Sequence, residues 1–276
     1  MTAKSATSRP PEGITARDGH MLRALALHGR LTQELIRRLF FSRDGGLASV
    51  QAVWLRLRTL QQKGLVSRWR LPAEQGSGPF LYELTAAGGR LIGAPAKRHA
   101  RTRWAAEHDL GVAGFYTALV EALRTSGGTL AAWLPPSEAG FETAVGPLSP
   151  DAAFNWQLAR KEGWCFLEWD RGTESLAAFA KKLDRYEEYF RARRSHAHLG
   201  TALRPRLLVV AEDSARAGRL LAYIARAAAA RPHLPTTLVT TLRDVIDDPL
   251  GSVWRLPGQE HGAAMPFWRE RPPDTP

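Results

Sequence analysis

Residues 150–186 hold the side chains best suited to chemistry. Pro150-Asp151 opens one apolar run, and Glu168-Trp169-Asp170 closes the next. Strand side chains alternate between faces, which puts Phe166, Glu168 and Asp170 on one face and Leu167 and Trp169 on the other. If the two runs pair, Asp151, Glu168 and Asp170 converge at one end of a sheet. Three such carboxylates repel one another unless a divalent cation or bases neutralise them. Magnesium takes one or two carboxylates plus water and phosphate oxygens. It can then activate water for phosphodiester cleavage. The next helix carries Lys181 and Lys182. Helical spacing places Lys182 beside the apolar positions Leu183 and Tyr186, and Lys181 further toward solvent. The expected catalytic set is Asp151, Glu168, Asp170 and Lys182. Asp151 and Glu168 would hold Mg²⁺, and Lys182 would orient the water. Glu142, on an expected neighbouring strand, is a candidate fourth acid. A plainer reading also fits: carboxylates at strand ends face solvent or cap the next helix.

The elements around these residues read as follows. A helix spans about 104–125 and ends at Gly127-Gly128. Strand-like pieces follow at 129–134, 142–145, 151–156 and 164–169. The helix after Gly172 has the stripe Leu176, Phe179, Ala180, Leu183, Tyr186 and Phe190. Residues 206–211 form a continuous apolar run, the pattern of a strand covered on both faces. A helix over 214–230 and a strand over 237–242 complete a mixed α/β layer fold. From Pro257 the chain is expected to be an irregular, mobile tail.

Charge divides the sequence. Residues 1–100 hold 16 Lys and Arg against 6 Asp and Glu, a net +10, whereas residues 101–276 hold 22 against 21, a net +1. A basic first third is the electrostatic footprint of a polyanion-binding region. Its periodicity predicts three helices. Thr15 and Asp18 form a capping box for the first, Thr32 caps the second and Ser49 the third. In the third helix, Val50, Val53, Trp54, Leu57 and Leu60 fall at core spacing. Gln51, Arg56, Arg58, Gln62 and Lys63 then point mainly elsewhere. Strands are expected over 65–71 and 80–84, joined by the turn-rich loop 72–79. Three helices and a β-hairpin make a winged helix. Its third helix would enter the major groove of duplex DNA. The expected DNA-binding residues are Gln51, Arg56, Arg58, Lys63, Arg68 and Arg70. His99, in the basic stretch 95–103, has no second histidine at metal spacing.

Other classes are excluded. Cys165 is the only cysteine, so intramolecular disulfides and multi-cysteine zinc sites are ruled out, which suits a reducing cytosol. Cys165 itself lies in an apolar run and is expected to be buried. No run of about 18 apolar residues exists, so no membrane span is expected. The polar start, MTAKSATSRPPEG, lacks an apolar signal core. Tyr186 and Tyr189 lie near the acids, but a phosphotyrosine-forming relaxase wants a histidine cluster that this sequence lacks.

Over roughly residues 14–245 the chain resembles the replication-relaxation family. The resemblance rests on Leu31-Thr32-Gln33-Glu34-Leu35, Arg56-Leu57-Arg58-Thr59-Leu60, Gly64-Leu65-Val66, Tyr82-Glu83-Leu84-Thr85 and His108-Asp109-Leu110-Gly111-Val112. Its strongest part is Pro150-Asp151, then residues 166–175, then Lys182-Leu183 and Tyr186. The second half is also similar to the PD-(D/E)xK nuclease superfamily, with Asp170 in place of the usual lysine and Lys182 as its counterpart on the following helix. The resemblance implies an α/β two-domain protein: an N-terminal winged helix, then a restriction-endonuclease-like mixed α/β domain. The expected layout is a disordered N-terminus at 1–13, a winged-helix DNA-binding domain at 14–94 and a basic linker at 95–103. A nuclease-like domain at 104–256 and an irregular tail at 257–276 follow. The implied role is a cytoplasmic, homodimeric DNA-binding protein of a plasmid or other mobile element. It would meet double-stranded DNA and replication or transfer proteins. The rival roles are a Mg²⁺-dependent endonuclease or nickase, and a pure protein-interaction adaptor.

Overall fold

The computed structural model describes residues 13–43, 46–73, 76–96, 100–258 and 264–269. Nearly all of the expected disordered N-terminus, His99 and the middle of the basic linker lie outside the described residues, as do residues 270–276 of the tail. The chain forms two compact units, 1–113 and 114–276.

The first unit begins with α1 (Ala16–His28), capped as expected: the Thr15 side chain accepts from the Asp18 N–H and Asp18 answers to the Thr15 N–H. Gly29, at φ 77°, ends it in the left-handed region that favours glycine. β1 (Arg30–Thr32), α2 (Gln33–Phe40), β2 (Ser42–Arg43), β3 (Gly46–Leu47) and α3 (Val50–Gln62) follow. Then come β4 (Val66–Arg70), β5 (Phe80–Leu84), α4 (Ala86–Ile92) and the start of α5 (Arg103–Thr125). β5 pairs antiparallel with both β1 and β4. Met21, Leu22 and Leu25 of α1 pack with Ile36 of α2, Val53, Leu57 and Leu60 of α3, and Tyr82 of β5. Val50 departs from its expected core position. It occupies the first turn of α3 and is 57% exposed.

The second unit continues with the rest of α5, then β6 (Thr129–Leu134), α6 (Pro136–Ala139), β7 (Ala152–Leu158), β8 (Lys161–Asp170) and α7 (Leu176–Arg191). α8 (Ser195–Leu199), β9 (Arg206–Ala211), α9 (Ser214–Ala228), β10 (Thr237–Thr241) and α10 (Leu242–Asp247) complete it. One sheet runs β10-β9-β8-β7-β6. β6–β7 and β7–β8 are antiparallel, whereas β8–β9 and β9–β10 are parallel. Both sheet faces are covered, which is why β9 is apolar and buried after Arg206. On one face Phe166, Val209 and Val239 pack with Phe179, Leu183 and Tyr186 of α7 and Leu220 of α9. On the other, Phe154 meets Phe115 of α5 and Phe267. Phe267 is fully buried, so residues 264–269 are anchored where a mobile tail was expected. The expected strand at 142–145 is not one. Phe141 and Leu148 form an isolated bridge, and Glu142 is exposed.

Candidate functional site

Pairing of β7 with β8 brings the acids to one end of the sheet. Ala152 lies opposite Leu167, so Asp151 and Glu168 meet where the hairpin opens. Asp151 extends the ladder at that point. Its N–H donates to the Leu167 carbonyl at 3.0 Å, and its Oδ2 accepts from the Trp169 N–H at 2.7 Å.

Glu168 is almost wholly buried, at 2% exposure, under α7. Lys182 and Tyr186 stand four residues apart on that helix, one turn above the other. Each therefore reaches a different oxygen of one carboxylate. Lys182 Nζ donates to Oε2 at 2.9 Å, and Tyr186 OH donates to Oε1 at 2.7 Å. Lys182 also contacts Glu174 at 3.1 Å. Burial pushes the Glu168 carboxyl up to about 7; Lys182 draws it down, and the nearby Asp151 charge pushes it up. Burial opposes the charge on Lys182, but Glu168 outweighs that loss and raises its pKa. Tyr186 is raised by burial and by the same carboxylate, so it stays a hydrogen-bond donor at neutral pH.

Asp170 shares the strand face of Glu168 but serves a different partner. Arg216 of α9 grips it in a fork, Nε to Oδ1 at 3.0 Å and an Nη to Oδ2 at 2.7 Å. Its Oδ1 also accepts from the Gly172 N–H at 2.7 Å. Such a bidentate pair holds geometry as well as charge. Asp170, expected in the catalytic set, thus has both oxygens engaged by α9 and the turn after β8. Glu142 lies on an exposed loop, so the fourth acid falls away. Sequence periodicity placed Lys182 on the correct side of its helix, but the roles of Tyr186 and Arg216 were not anticipated. Arg216 did carry a signal: an arginine next to Ala217 and one turn before Leu220, on the buried side of an amphipathic helix, needs an acidic partner.

The donor set bears on the expected magnesium. Both Glu168 oxygens already accept, Asp151 Oδ2 accepts from backbone, and Asp170 is held by Arg216. Among the described residues no group of three or more His, Cys, Asp or Glu is placed to hold a metal ion. As arranged, these residues do not fit a magnesium centre. In their place stands a buried polar network, with the Lys182 ammonium as its cation.

The first unit presents the other candidate set. Gln51 and Arg58 lie exposed on α3, and Lys63, also exposed, follows its last turn. Arg68 and Arg70 project from one side of β4, their guanidinium groups 4.2 and 4.1 Å from the centre of the Phe80 ring. Such stacking steadies a cation, and Arg70 also donates an Nη N–H to the Gly78 carbonyl at 3.2 Å. Arg56 departs from the expected set. It reaches back to α1, where Nε donates to Asp18 Oδ1 at 2.6 Å and an Nη contacts Asp18 Oδ2 and the Gly13 carbonyl. Asp18 is fully buried. Burial pushes its carboxyl up, but the hydrogen bonds from Arg56 and Thr15 outweigh that and lower it. Arg56 is a tie between α1 and α3.

The chain belongs to the replication-relaxation family, whose model matches residues 22–204. No curated protein matches it. Among solved structures, one titled as the restriction endonuclease FokI aligns over 82% of this chain at 12% identity and a TM-score of 0.31. The chain spans 43% of that protein's length. No described helix is long and apolar enough to cross a membrane.

Proposed function

We propose that this is a duplex-DNA-binding protein of a plasmid or other mobile element, acting in replication, transfer or transcriptional control. One observation carries the reading. In the first unit, α1, α2 and α3 accompany an antiparallel sheet and an exposed set of Gln51, Arg58, Arg68 and Arg70. These features support reading the unit as a winged helix, with α3 as the major-groove helix and the β4–β5 hairpin as the wing. The excess of 16 basic over 6 acidic residues in the first hundred supplies the attraction to phosphate. The protein works in the cytoplasm, and a homodimer would extend the footprint to two half-sites.

Fluorescence polarisation on a labelled duplex across a salt series tests this. Affinity should fall steeply as salt rises. Arg58→Ala, Arg68→Ala and Arg70→Ala should each weaken binding, with the slope of log K against log salt shrinking by about 1 per lost phosphate contact. Absence of duplex binding at low salt would sink the reading and leave the adaptor role.

A second reading, a metal-dependent endonuclease, is favoured by one contact: Lys182 lies 2.9 Å from Glu168, with Asp151 at the next strand's start. A supercoiled-plasmid assay with magnesium or manganese separates the two. We expect no nicking. Nicking that disappears in Asp151→Ala and Glu168→Ala would put the endonuclease first.

A further inference from the structure

On α3, a rotation of about 100° per residue puts Gln51, Leu55, Arg58 and Gln62 in one line. All four are exposed, on the side away from the buried Val53, Leu57 and Leu60. Gln51 and Gln62 have no hydrogen-bond partner among the described residues, and Arg58 has no ion pair among them. The Arg58 guanidinium lies 5.3 Å from the centre of the Trp54 ring. Neighbouring polar groups are committed within the fold: Arg56 is held by Asp18, and the Thr59 hydroxyl donates to the Leu55 carbonyl at 3.0 Å. The line thus keeps its polar groups for an outside partner, and among them stands one apolar side chain, Leu55, 50% exposed.

A lone exposed leucine on a surface needs no explanation. Position sets this one apart. In the proposed docking, the line faces the bases of the major groove, with Leu55 between Gln51 and Arg58. The edges of unmodified base pairs there carry hydrogen-bond donors and acceptors and a single apolar group, the C5-methyl of thymine. A leucine side chain neither donates nor accepts. Set over a polar base edge, it would strip water from that edge and return nothing. Set over the methyl, it buries apolar surface on both partners.

We propose that Leu55 determines specificity by reading a pyrimidine 5-methyl group, that of thymine or of 5-methylcytosine. The inference rests on the DNA-binding reading and adds to it the chemistry that the centre of the α3 face selects. Gln51 and Arg58 supply the polar contacts on either side.

The test begins with the full chain selecting sites from a pool of duplexes with a randomised centre. Competition binding then measures the recovered site with each thymine exchanged singly for uracil, which removes only the methyl, and each cytosine for 5-methylcytosine, which adds only the methyl. Wild-type binding should weaken about fourfold when the contacted thymine loses its methyl. Leu55→Ala should bind the thymine and uracil duplexes equally. A methyl effect at thymine, at 5-methylcytosine or at both supports the proposal and names the base. If removing a methyl never weakens wild-type binding and adding one never strengthens it, or if Leu55→Ala keeps the methyl effect in full, the proposal is overturned. Salt-dependent duplex binding that Arg58→Ala weakens, without a methyl effect, would remove this inference alone. Absence of all duplex binding would remove the DNA-binding reading with it. Thermal melts confirm that Leu55→Ala is folded.

Discussion

Lys182 and Tyr186 hold one carboxylate between them, and the consequences are measurable. The Glu168 pKa rises from its ordinary 4.5 to about 7 on folding. The folded chain therefore binds more protons than the unfolded chain between those values. Stability contributed at this residue is highest below pH 4.5 and declines as pH climbs toward 7. Urea midpoints of the wild type and Glu168→Gln should diverge across that window, the wild type losing ground as pH rises. Parallel curves would refute the assignment. Lys182→Met should cost about 3 kcal/mol, because it leaves a buried carboxylate short of its cation. Glu168→Gln combined with Lys182→Met should recover part of that loss, and a double-mutant cycle reads the coupling directly.

At the scale of elements, α1 and α3 are joined by the Asp18–Arg56 pair, which the sequence offered no means of seeing. The partners are 38 positions apart, and helical periodicity only placed Arg56 off the core. Arg56→Ala should lower stability by about 3 kcal/mol, since Asp18 stays buried and loses its cation. Any fall in DNA affinity in that variant would follow from a displaced α3. Arg58→Ala, with its exposed side chain, should weaken DNA binding without shifting the melting temperature. Other elements were legible. The continuous apolar run over 206–211 marked β9 to the residue, and Ser49 marked the start of α3. β1 escaped because three residues, Arg30-Leu31-Thr32, are too short for a period to show. The run 142–145 misled because its alternation comes from an irregular loop. In the candidate site, strand alternation put Glu168 and Asp170 on one face. It could not say that Arg216, on a helix 46 positions away, would claim the second acid.

Across the whole molecule, basic side chains gather in the first unit, whereas the second is nearly balanced in charge and rich in buried aromatic rings. Under the proposed function, that division gives the first unit the attraction to phosphate. The second unit's sheet relies on a side chain supplied from far down the chain. Phe267 lies edge-on to Phe154, Trp156 and Trp254, with ring centres 5.7–6.1 Å apart. Phe267→Ala should cost about 3–5 kcal/mol by leaving a void in that cluster. Calorimetric melts would show it.

That void would have the outline of the missing benzyl ring and walls that are mainly aromatic carbon, which favours an apolar occupant over water. Benzene or toluene added to Phe267→Ala should then lodge in the socket and restore part of the lost melting temperature, while leaving the wild type unmoved. The far end of the chain thus works as a removable stopper, and a small solvent molecule can stand in for it.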